Sequence, residues 1–362
     1  MNSLEQIKEN SISLLKELIA IPSFSKQEDK SAEKIFNCLN QFSIPTHRKL
    51  NNIWTKNKSF NPNLPTILLN SHHDTVMPNE SWQEDPFHPV IKDGKLIGLG
   101  SNDAGGSLVS LMAVFKYFYE REDLNFNLIY SATAEEENSG LNGIESILSE
   151  LGEIFFAIVG EPTNMELAIA EKGLMVLDCF AKGKAGHAGR KEGENAIVNA
   201  IADIEWFHSY KFAKESVLLG PVQMTVTIIK AGDQHNIIPD KCNFTVDIRS
   251  TDLYTNEEIL EIVRKHIKSD VKPRSMRLKP SRIEQDHPIV QSALKINIPL
   301  IGSPTTSDQA VIPFRSVKIG PGRSERSHTA DEFIYLDEIK DGIQKYIQLL
   351  EQLNIYMNNS LL

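Results

Sequence analysis

Apolar and polar residues follow two different patterns along the chain, and the first pattern covers about the first 170 residues. The run PTILLN (65–70) predicts a strand that is covered on both faces, because its apolar residues do not alternate with polar ones. Residues 106–120 predict a buried helix, and residues 126–133 and 155–161 predict two further strands. Strands and helices in alternation favour an α/β fold, with helices on both faces of a mixed sheet.

The second pattern begins after Glu171. Strands predicted at 174–183, 222–230 and 242–249 alternate strictly, so that one face is apolar and the other is polar. This alternation indicates an antiparallel sheet with one open face, and helical patterns near 194–207 and 255–269 interrupt it. The pattern in the middle of the chain therefore predicts a separate α+β domain.

After Pro280 the α/β pattern returns, and it closes with a long helical pattern at 335–354. We therefore predict that residues 1–171 and 281–362 form one α/β domain. Residues 172–280 form a second domain that is inserted into the first. A chain of 362 residues with 41% apolar residues is long enough to fill both cores.

The N-terminal residues predict an amphipathic helix in which Ser3 and Gln6 have capping-box spacing. This segment lacks the basic start and continuous apolar core of a signal peptide, and no run approaches 18 apolar residues. The net charge of −10 has the wrong sign for a protein that binds nucleic acid or anionic membranes. Three scattered cysteines support neither a disulfide framework nor a cysteine-based zinc site, which suits a reducing cytoplasm.

Two histidines and an aspartate follow the first predicted strand in SHHDTVM (71–77). If the strand continues, its period of two places His72 and Asp74 on one face and His73 on the other. A His-x-Asp pair at a strand end suits a metal ion, because the carboxylate can hold the proton of the ring nitrogen that does not bind metal. The alternative is a polar strand end in a loop.

Four other polar sites lie at strand ends or in loops. Asp103 lies in the glycine-rich GLGSNDAGG, where it could instead cap a helix, and His328 lies in SHTADEF, where it could be a surface histidine. AEEENSG places three carboxylates together after a strand, where a solvated acidic loop is the alternative, and VGEPT places Glu161 after another strand. A set of imidazoles and carboxylates without cysteine favours zinc, cobalt or manganese, and a shared carboxylate allows two ions.

Eight motifs in series carry a resemblance that covers nearly the whole chain. The chain resembles the co-catalytic metallo-aminoacylase and carboxypeptidase family, which includes acetylornithine deacetylase, succinyl-diaminopimelate desuccinylase, aminoacylase and glutamate carboxypeptidase. The motifs are SHHDTV, WQEDPFHPVIKDGKLIGLGSNDAGG, ATAEEENSG, VGEPT, GKAGHAG with GENAI, HNIIPDKCNFTVDIR, TTSDQA and GPGRSERSHTADE.

The resemblance implies a centre of two divalent metal ions, with zinc the first choice and cobalt or manganese as alternatives. It makes His72, Asp103 and Glu161 the ligands of one ion. Asp103, Glu137 and His328 are the implied ligands of the other, so that Asp103 bridges the two ions. Glu136 matches the general base of the family, and Asp74 matches the residue that orients His72.

The inserted domain resembles the lid and dimerisation domain of the family, which implies a homodimer. His187 matches a histidine that reaches the active site of the partner subunit and stabilises the oxyanion. Asn236 and Arg249 match positions that bind the substrate carboxylate. The loop Thr305, Thr306 and Ser307 is expected to face them.

The function that the resemblance implies is hydrolysis of an N-acyl amino acid, most closely that of an acetylornithine deacetylase in arginine biosynthesis. Alternatives in the same class are a desuccinylase that acts on succinylated ornithine, citrulline or diaminopimelate, and a dipeptidase or carboxypeptidase. A non-catalytic binding protein is the alternative from another class, and the complete ligand set with Glu136 speaks against it. Arg323 and Arg326 could read a second substrate carboxylate or could be solvated surface residues.

Overall fold

A computed structural model describes residues 3–190 and 192–360 of the chain. The chain divides into two compact units. Unit 1 comprises Met1–Ile169, Arg282–Ile301 and Ser307–Leu362, and unit 2 comprises Ala170–Ser281 and Gly302–Thr306. Unit 2 thus includes a short segment, 302–306, that the sequence pattern assigned to the α/β domain.

Eight α-helices lie within the described residues, with these bounds: α1 Leu4–Ile19, α2 Asp29–Gln41, α3 Gly106–Phe118, α4 Leu148–Leu151, α5 Ala196–Ser209, α6 Asn256–His266, α7 Pro288–Lys295 and α8 Leu336–Ser360.

The strands of the same described ranges are β1 Thr46–Lys49, β2 Asn52–Lys56, β3 Thr66–His72, β4 Val90–Lys92, β5 Lys95–Ile97, β6 Asn127–Thr133, β7 Phe156–Val159, β8 Leu167–Glu171, β9 Gly173–Lys182, β10 Gly186–His187, β11 Gln223–Ala231, β12 Ile237–Ile238, β13 Lys241–Ser250, β14 Asp270–Pro273, β15 Ser281–Arg282, β16 Leu300–Ser303, β17 Ser316–Lys318 and β18 Phe333–Tyr335.

The main sheet is mixed, and its strands run in the order β1-β2-β6-β3-β7-β17-β8-β15, with β16 also beside β8. Its centre is parallel, because β3 pairs in parallel with both β6 and β7, and β17 pairs in parallel with β7. The antiparallel pairs are β1 with β2, β2 with β6, and β17 with β8. Every residue of β3 and β6 is buried, as unbroken apolar runs predict for central strands.

Helices cover both faces of the parallel centre. Helix α3 packs on β3 and β6, and α1 and α8 pack on α3. Eleven of the thirteen residues of α3 are buried, because it lies between the sheet and other helices. The opposite face is closed by an apolar cluster that joins Leu68 and Ile129 of the sheet to Ile144, Ile147 and Leu151.

Unit 2 is built on a four-stranded sheet in the order β11-β13-β9-β14, in which β13 is antiparallel to β9 and β11, and β14 is antiparallel to β9. Its core lies on one face, where α5 and α6 pack through residues such as Ala200, Phe207 and Val263. Phe244, Val246 and Ile248 of β13 point into this core, as their alternation predicts.

The fold therefore confirms the predicted α/β class with a mixed sheet and a separate antiparallel sheet. The N-terminal helix also forms, and Ser3 Oγ accepts a hydrogen bond from the Gln6 backbone N–H at 3.2 Å. The Gln6 side chain donates to Asn10 instead of returning to the N-cap, so only half of a capping box is present. No helix within 3–190 or 192–360 is long and apolar enough to span a membrane.

Candidate metal centre

The polar residues predicted at strand ends converge at one edge of the main sheet. Because β6, β3, β7 and β17 are parallel neighbours, their carboxyl ends meet at that edge. His72 is the last residue of β3, Glu136 and Glu137 follow β6, and Glu161 follows β7. The carboxyl ends of parallel strands form the usual crevice for ligands in open α/β sheets.

His72 is buried, with 1% of its surface exposed. Its Nδ1–H donates to the backbone carbonyl oxygen of Asp74 at 3.0 Å, and the nearest carboxylate oxygen of Asp74 lies at 3.4 Å. Strand β3 ends at His72, so Asp74 lies beyond the strand and holds the ring through its main chain as well as its carboxylate. In the neutral ring this hydrogen on Nδ1 leaves the lone pair on Nε2, the nitrogen that faces the centre.

Asp103 lies in an irregular turn, Ser101–Gly105, directly before α3. Gly100 has a φ of 73°, and a Cβ on Gly105 would lie 2.4 Å from the Gly100 carbonyl oxygen, so both positions require glycine. Asp103 and Ala104 have non-helical backbone angles, and the peptide bond between them is cis. The glycines of GLGSNDAGG therefore shape the turn that presents Asp103.

The two carboxylate oxygens of Asp103 face two different histidines. Oδ1 lies 3.4 Å from His72 Nε2, and Oδ2 lies 3.6 Å from His328 Nε2. His328 follows β17 in the loop before β18, and 55% of its side chain is exposed. One carboxylate thus lies between two imidazole nitrogens.

The three consecutive glutamates have three different environments. Glu135 has a φ of 56°, which ends the extended backbone, and its Oε1 accepts a hydrogen bond from Asn142 at 3.0 Å. Glu137 Oε2 lies 3.0 Å from His328 Nε2. Glu136 Oε2 lies 4.0 Å from His72 Nε2, and among the described residues its carboxylate has no hydrogen bond.

Asp74 fixes the backbone that carries these glutamates. Its carboxylate accepts the backbone N–H groups of Glu136 and Glu137, both at 3.1 Å, and the hydroxyl of Ser25 at 2.7 Å. Although burial opposes it, the adjacent His72 and Ser25 keep the pKa of Asp74 below its usual value. Asp74 therefore contacts both the ring of His72 and the turn after β6, a dual position that the sequence pattern did not reveal.

The centre carries more negative charge than its histidines balance. Burial raises the pKa of Glu136 and of Glu161 well above their usual values, and nearby carboxylates raise both further. Burial alone would lower the pKa of His72, but Asp103 and the other carboxylates raise it well above its usual value. The hydrogen bond to Glu137 raises the pKa of His328 to about 9. The raised pKa values of both histidines thus come from the surrounding carboxylates, and those of both glutamates come from burial first and from neighbouring carboxylates second.

These residues fit bound divalent cations. Two groups offer ligand atoms that all lie within 4.8 Å of one another: His72, Asp103 and Glu137, and His72, Glu136 and Glu161. His72 Nε2 is buried and has no hydrogen-bond partner among the described residues, although a buried polar atom normally has one. A cation at this nitrogen would satisfy it and would balance the surrounding carboxylates.

A family model described as Peptidase family M20/M25/M40 matches residues 68–352. The chain belongs to this family. The resemblance to the co-catalytic metallo-aminoacylases and carboxypeptidases is thereby confirmed, and the protein is a metallohydrolase that acts on amide bonds.

Relatives and solved structures match the M20/M25/M40 chain over nearly its full length. A [LysW]-lysine/[LysW]-ornithine hydrolase of Saccharolobus solfataricus is 28% identical over 360 residues, which are 96% of this chain and 97% of the relative. The aminopeptidase PepT of Bacillus cereus has a TM-score of 0.78 at 19% identity, over 96% of this chain and 98% of that one. The Bacillus subtilis YXEP protein, described as a dinuclear metal binding peptidase of the M20 family, has a TM-score of 0.72 at 14% identity, over 96% and 98%.

Unit 2 of this M20/M25/M40 chain holds His187 and Asn236 side by side. The backbone N–H of Ala188 donates to the Asn236 carbonyl oxygen at 3.0 Å, and both residues are exposed. His187 Nδ1 accepts the backbone N–H of Gly189 at 3.1 Å. Because Nδ1 is the acceptor, the hydrogen of the neutral ring lies on Nε2, which can donate to a ligand.

Arg249 and Thr306 also lie together in unit 2. Asp247 binds the Arg249 guanidinium through two hydrogen bonds, at 2.8 and 3.1 Å, and Thr306 Oγ1 lies 3.4 Å from Arg249 Nη1. Asp247 thus fixes the orientation of the guanidinium and leaves further N–H groups for a carboxylate. Thr305 belongs to the same short segment, whereas Ser307 belongs to unit 1, where its Oγ accepts the Gln309 backbone N–H.

The two arginines of GPGRSERSHTADE differ in their surroundings. Arg326 forms two hydrogen bonds with Glu338, at 2.7 and 3.0 Å, and its guanidinium lies over Phe333. Arg323 is exposed, and its backbone N–H donates to Asn102 Oδ1 at 2.9 Å.

Sequence reasoning missed two buried carboxylates near the centre, although both lie in quoted motifs. Asp308, in TTSDQA, accepts hydrogen bonds from Asn70 at 2.7 Å and Thr133 at 2.8 Å, and burial raises its pKa to about 6. Glu332, in SHTADEF, accepts three backbone N–H groups of the Asp103 loop, and burial raises its pKa to about 8. An acidic residue inside a motif was the available signal, but only the contacts reveal what each one binds.

Proposed function

We propose that the chain hydrolyses the amide bond of an N-acyl amino acid at a centre of two divalent ions, with zinc first and cobalt or manganese as alternatives. The observation that carries this proposal is the position of Asp103, which directs one oxygen toward His72 and the other toward His328. A carboxylate with one imidazole on each side is suited to bridging two cations.

The proposed ligand sets are those that the family resemblance implies, and individual contacts support them. His72, Asp103 and Glu161 would hold one ion, since Glu161 Oε1 lies 3.8 Å from His72 Nε2. Asp103, Glu137 and His328 would hold the other, since Glu137 lies 3.0 Å from His328. Two such ions, when bound, lower the pKa of a water molecule and polarise the amide carbonyl group.

Glu136 is the proposed general base. Of the three glutamates it alone faces the centre with a carboxylate that no described residue binds, whereas Glu135 is bound by Asn142 and Glu137 by His328. Its raised pKa suits a group that accepts a proton from the attacking water and gives it to the departing amine nitrogen. Asp74 would maintain this arrangement through its bonds to the backbone of Glu136 and Glu137.

Unit 2 would supply the residues that bind the rest of the substrate. Arg249, held by Asp247, would bind the substrate carboxylate together with Thr306, because a guanidinium of fixed orientation forms paired hydrogen bonds with a carboxylate. Asn236, Thr305 and Ser307 are proposed to contact the same part of the substrate. His187 would donate its Nε2–H to the oxyanion that forms at the attacked carbonyl group.

The favoured substrate is an acylated ornithine, in the manner of an acetylornithine deacetylase of arginine biosynthesis. The similarity to [LysW]-lysine/[LysW]-ornithine hydrolases supports a diamino acid as the product, because lysine and ornithine are both diamino acids. Succinylated ornithine, citrulline or diaminopimelate is the next choice, and a dipeptide or other peptide is the third. We place the reaction in the cytoplasm.

A homodimer through unit 2 is part of the proposal, with His187 serving the site of the partner subunit. Strand β11 lies at the edge of the four-stranded sheet, and Ile228 and Ile229 on it are 46% and 53% exposed. Val198 and Ile201 of α5, which packs against β11, are also more than half exposed. An open edge strand beside an apolar helix face is suited to pairing with another chain.

The decisive experiment is a hydrolysis screen with the metal-loaded protein. N-acetyl and N-succinyl forms of ornithine, lysine, citrulline and diaminopimelate would be compared with dipeptides by amine release. We expect the highest kcat/KM for an acylated ornithine. A preference for dipeptides over every acylated amino acid would refute the deacylase assignment and would leave the family membership intact.

A further inference from the structure

Glu332 lies four residues after His328, and only 2% of its surface is exposed. Its Oε1 accepts the backbone N–H groups of Asn102 at 2.8 Å and Asp103 at 2.9 Å, and its Oε2 accepts that of Gly100 at 3.1 Å. The main chain of Glu332 adds two contacts, because its carbonyl oxygen accepts the Gly98 N–H at 3.0 Å and the Ser101 hydroxyl at 3.3 Å. A single residue thus binds every position from 98 to 103 except Leu99.

The Asp103 loop bonds only part of its own backbone, since the Ser101 N–H donates to the Gly98 carbonyl oxygen at 3.1 Å and the Gly105 N–H donates to that of Gly100 at 3.0 Å. The N–H groups of Gly100, Asn102 and Asp103 bond to Glu332 instead, in a stretch where Gly100 is left-handed and Asp103 is non-helical. Ser101 and Asn102 are fully buried, which keeps water away from the loop. A buried N–H group without a partner destabilises the fold, and Glu332 supplies a partner at three positions.

The carboxylate also determines the direction of Asp103. One N–H that Glu332 binds belongs to Asp103 itself, and its bonds to the N–H groups of Asn102 and Gly100 hold two of the three residues before Asp103. The side chain of Asp103 then has to divide its oxygens between His72 and His328, which lie 3.4 and 3.6 Å away. A rotation of this loop would move one oxygen away from its histidine.

We propose that Glu332 is a positioning residue of the metal centre, which holds the backbone of Asp103 in the orientation in which this carboxylate would serve both proposed ion sites. The inference rests on the proposed function, in which Asp103 is the bridging ligand. Outer groups that orient metal ligands typically change metal affinity by about 10- to 100-fold when they are replaced.

Glu332→Gln tests the inference, because glutamine has the same length but offers one acceptor oxygen and one NH2 donor. Three N–H donors converge on two oxygens, so the new NH2 group has to face at least one backbone N–H. Glu338→Gln is the matched control. Glu338 lies six residues after Glu332, in α8. Its carboxylate accepts the Tyr335 backbone N–H at 2.9 Å and two hydrogen bonds from Arg326.

The measurement is a cobalt titration of metal-free protein, followed by the visible absorption of bound Co²⁺, with thermal unfolding of the metal-free proteins in parallel. We expect Glu332→Gln to bind cobalt about 10- to 100-fold more weakly with an altered spectrum, and Glu338→Gln to bind as the unmodified protein does. Unchanged affinity and spectrum in Glu332→Gln would overturn the inference, even if its melting temperature fell.

Glu332→Asp covers the case in which Glu332→Gln fails to fold. Aspartate keeps both acceptor oxygens one methylene further back, so we expect a folded protein with cobalt affinity between those of the unmodified protein and the glutamine variant. Wild-type affinity in Glu332→Asp together with an unfolded Glu332→Gln would assign Glu332 to folding alone and overturn the inference. Failure of the proposed function has a different signature, namely unmodified protein that binds cobalt but hydrolyses no acylated amino acid.

Discussion

Replacing each glutamate of the run 135–137 with glutamine tests which of them accepts the proton. Each substitution keeps the size of the side chain and exchanges one carboxylate oxygen for an NH2 group. The three variants can be compared directly, because the substituted residues are consecutive and lie in the same turn after β6. Their different contacts predict three different results.

Glu136→Gln should retain two metal ions per chain, because none of the proposed ligands is altered. Turnover should fall by roughly 10² to 10⁴, the usual contribution of a general base. This loss corresponds to about 2.7–5.4 kcal/mol in the activation barrier, at about 1.36 kcal/mol for each factor of ten. KM should change little, since the substrate-binding residues are unchanged.

Glu137→Gln should lose the second ion, because a neutral amide is a much poorer ligand than a carboxylate. It should also remove the hydrogen-bonded charge that raises the pKa of His328 to about 9 in the metal-free protein. That pKa should return toward about 6.5, which an NMR titration of the imidazole would detect. Glu135→Gln should change least, because its amide oxygen can still accept the hydrogen bond from Asn142.

The assay is metal content by mass spectrometry together with turnover of N-acetylornithine for all three variants. The alternative is that Glu136 is itself a metal ligand, since it could bind the same ion as His72 and Glu161. If Glu136→Gln is the variant that loses metal, Glu136 is a ligand and the base is Glu135 or another group. Full turnover in Glu136→Gln would refute the assignment directly.

Three further predictions concern other parts of the chain. Chelation should abolish hydrolysis and added zinc or cobalt should restore it, so hydrolysis by protein without detectable metal would refute the metal mechanism. Ile229→Lys on the open edge of β11 should yield monomers in light scattering, whereas Lys272→Ala on the opposite edge strand, β14, should remain a dimer. If both variants remain dimers, β11 is not part of the interface. Burial lowers the pKa of His287, the N-cap of α7, to about 4. The neutral ring therefore contributes its full stabilisation above about pH 6.5, and this stabilisation is lost as pH falls toward 4. His287→Asn, which keeps a capping side chain, should weaken that pH dependence of unfolding, and an identical dependence in both proteins would exclude His287 as its source.

The ends of the strands were the part of the centre that the sequence could predict. Buried strands need continuous apolar runs, so a polar residue directly after such a run marks the point where the strand meets solvent or a ligand. His72 and Glu161 were found in this way, and both lie at the carboxyl ends of their strands. The antiparallel sheet of unit 2 was predicted for a similar reason, because a sheet with one covered face has to alternate apolar and polar residues.

The identity of the ligand set came from a series of motifs and not from any one of them. Each polar residue by itself had an ordinary alternative, such as a helix cap for Asp103 or a surface histidine for His328. Local patterns describe what a segment does with its own neighbours, so they cannot determine which distant segments meet. The order and spacing of eight motifs supplied that information through the family.

Tertiary structure alone decided how the centre is held. Glu332 binds the backbone of Asp103 from 229 positions away, and Asp74 binds that of Glu136 from 62 positions away. The pairing of Arg326 with Glu338 is another contact that no sequence pattern indicated. The sequence determined which segments are strands and which polar residues end them, because burial constrains every residue of a strand. The partners of buried carboxylates depend on strand order and loop paths, which leave no periodic signal in the chain.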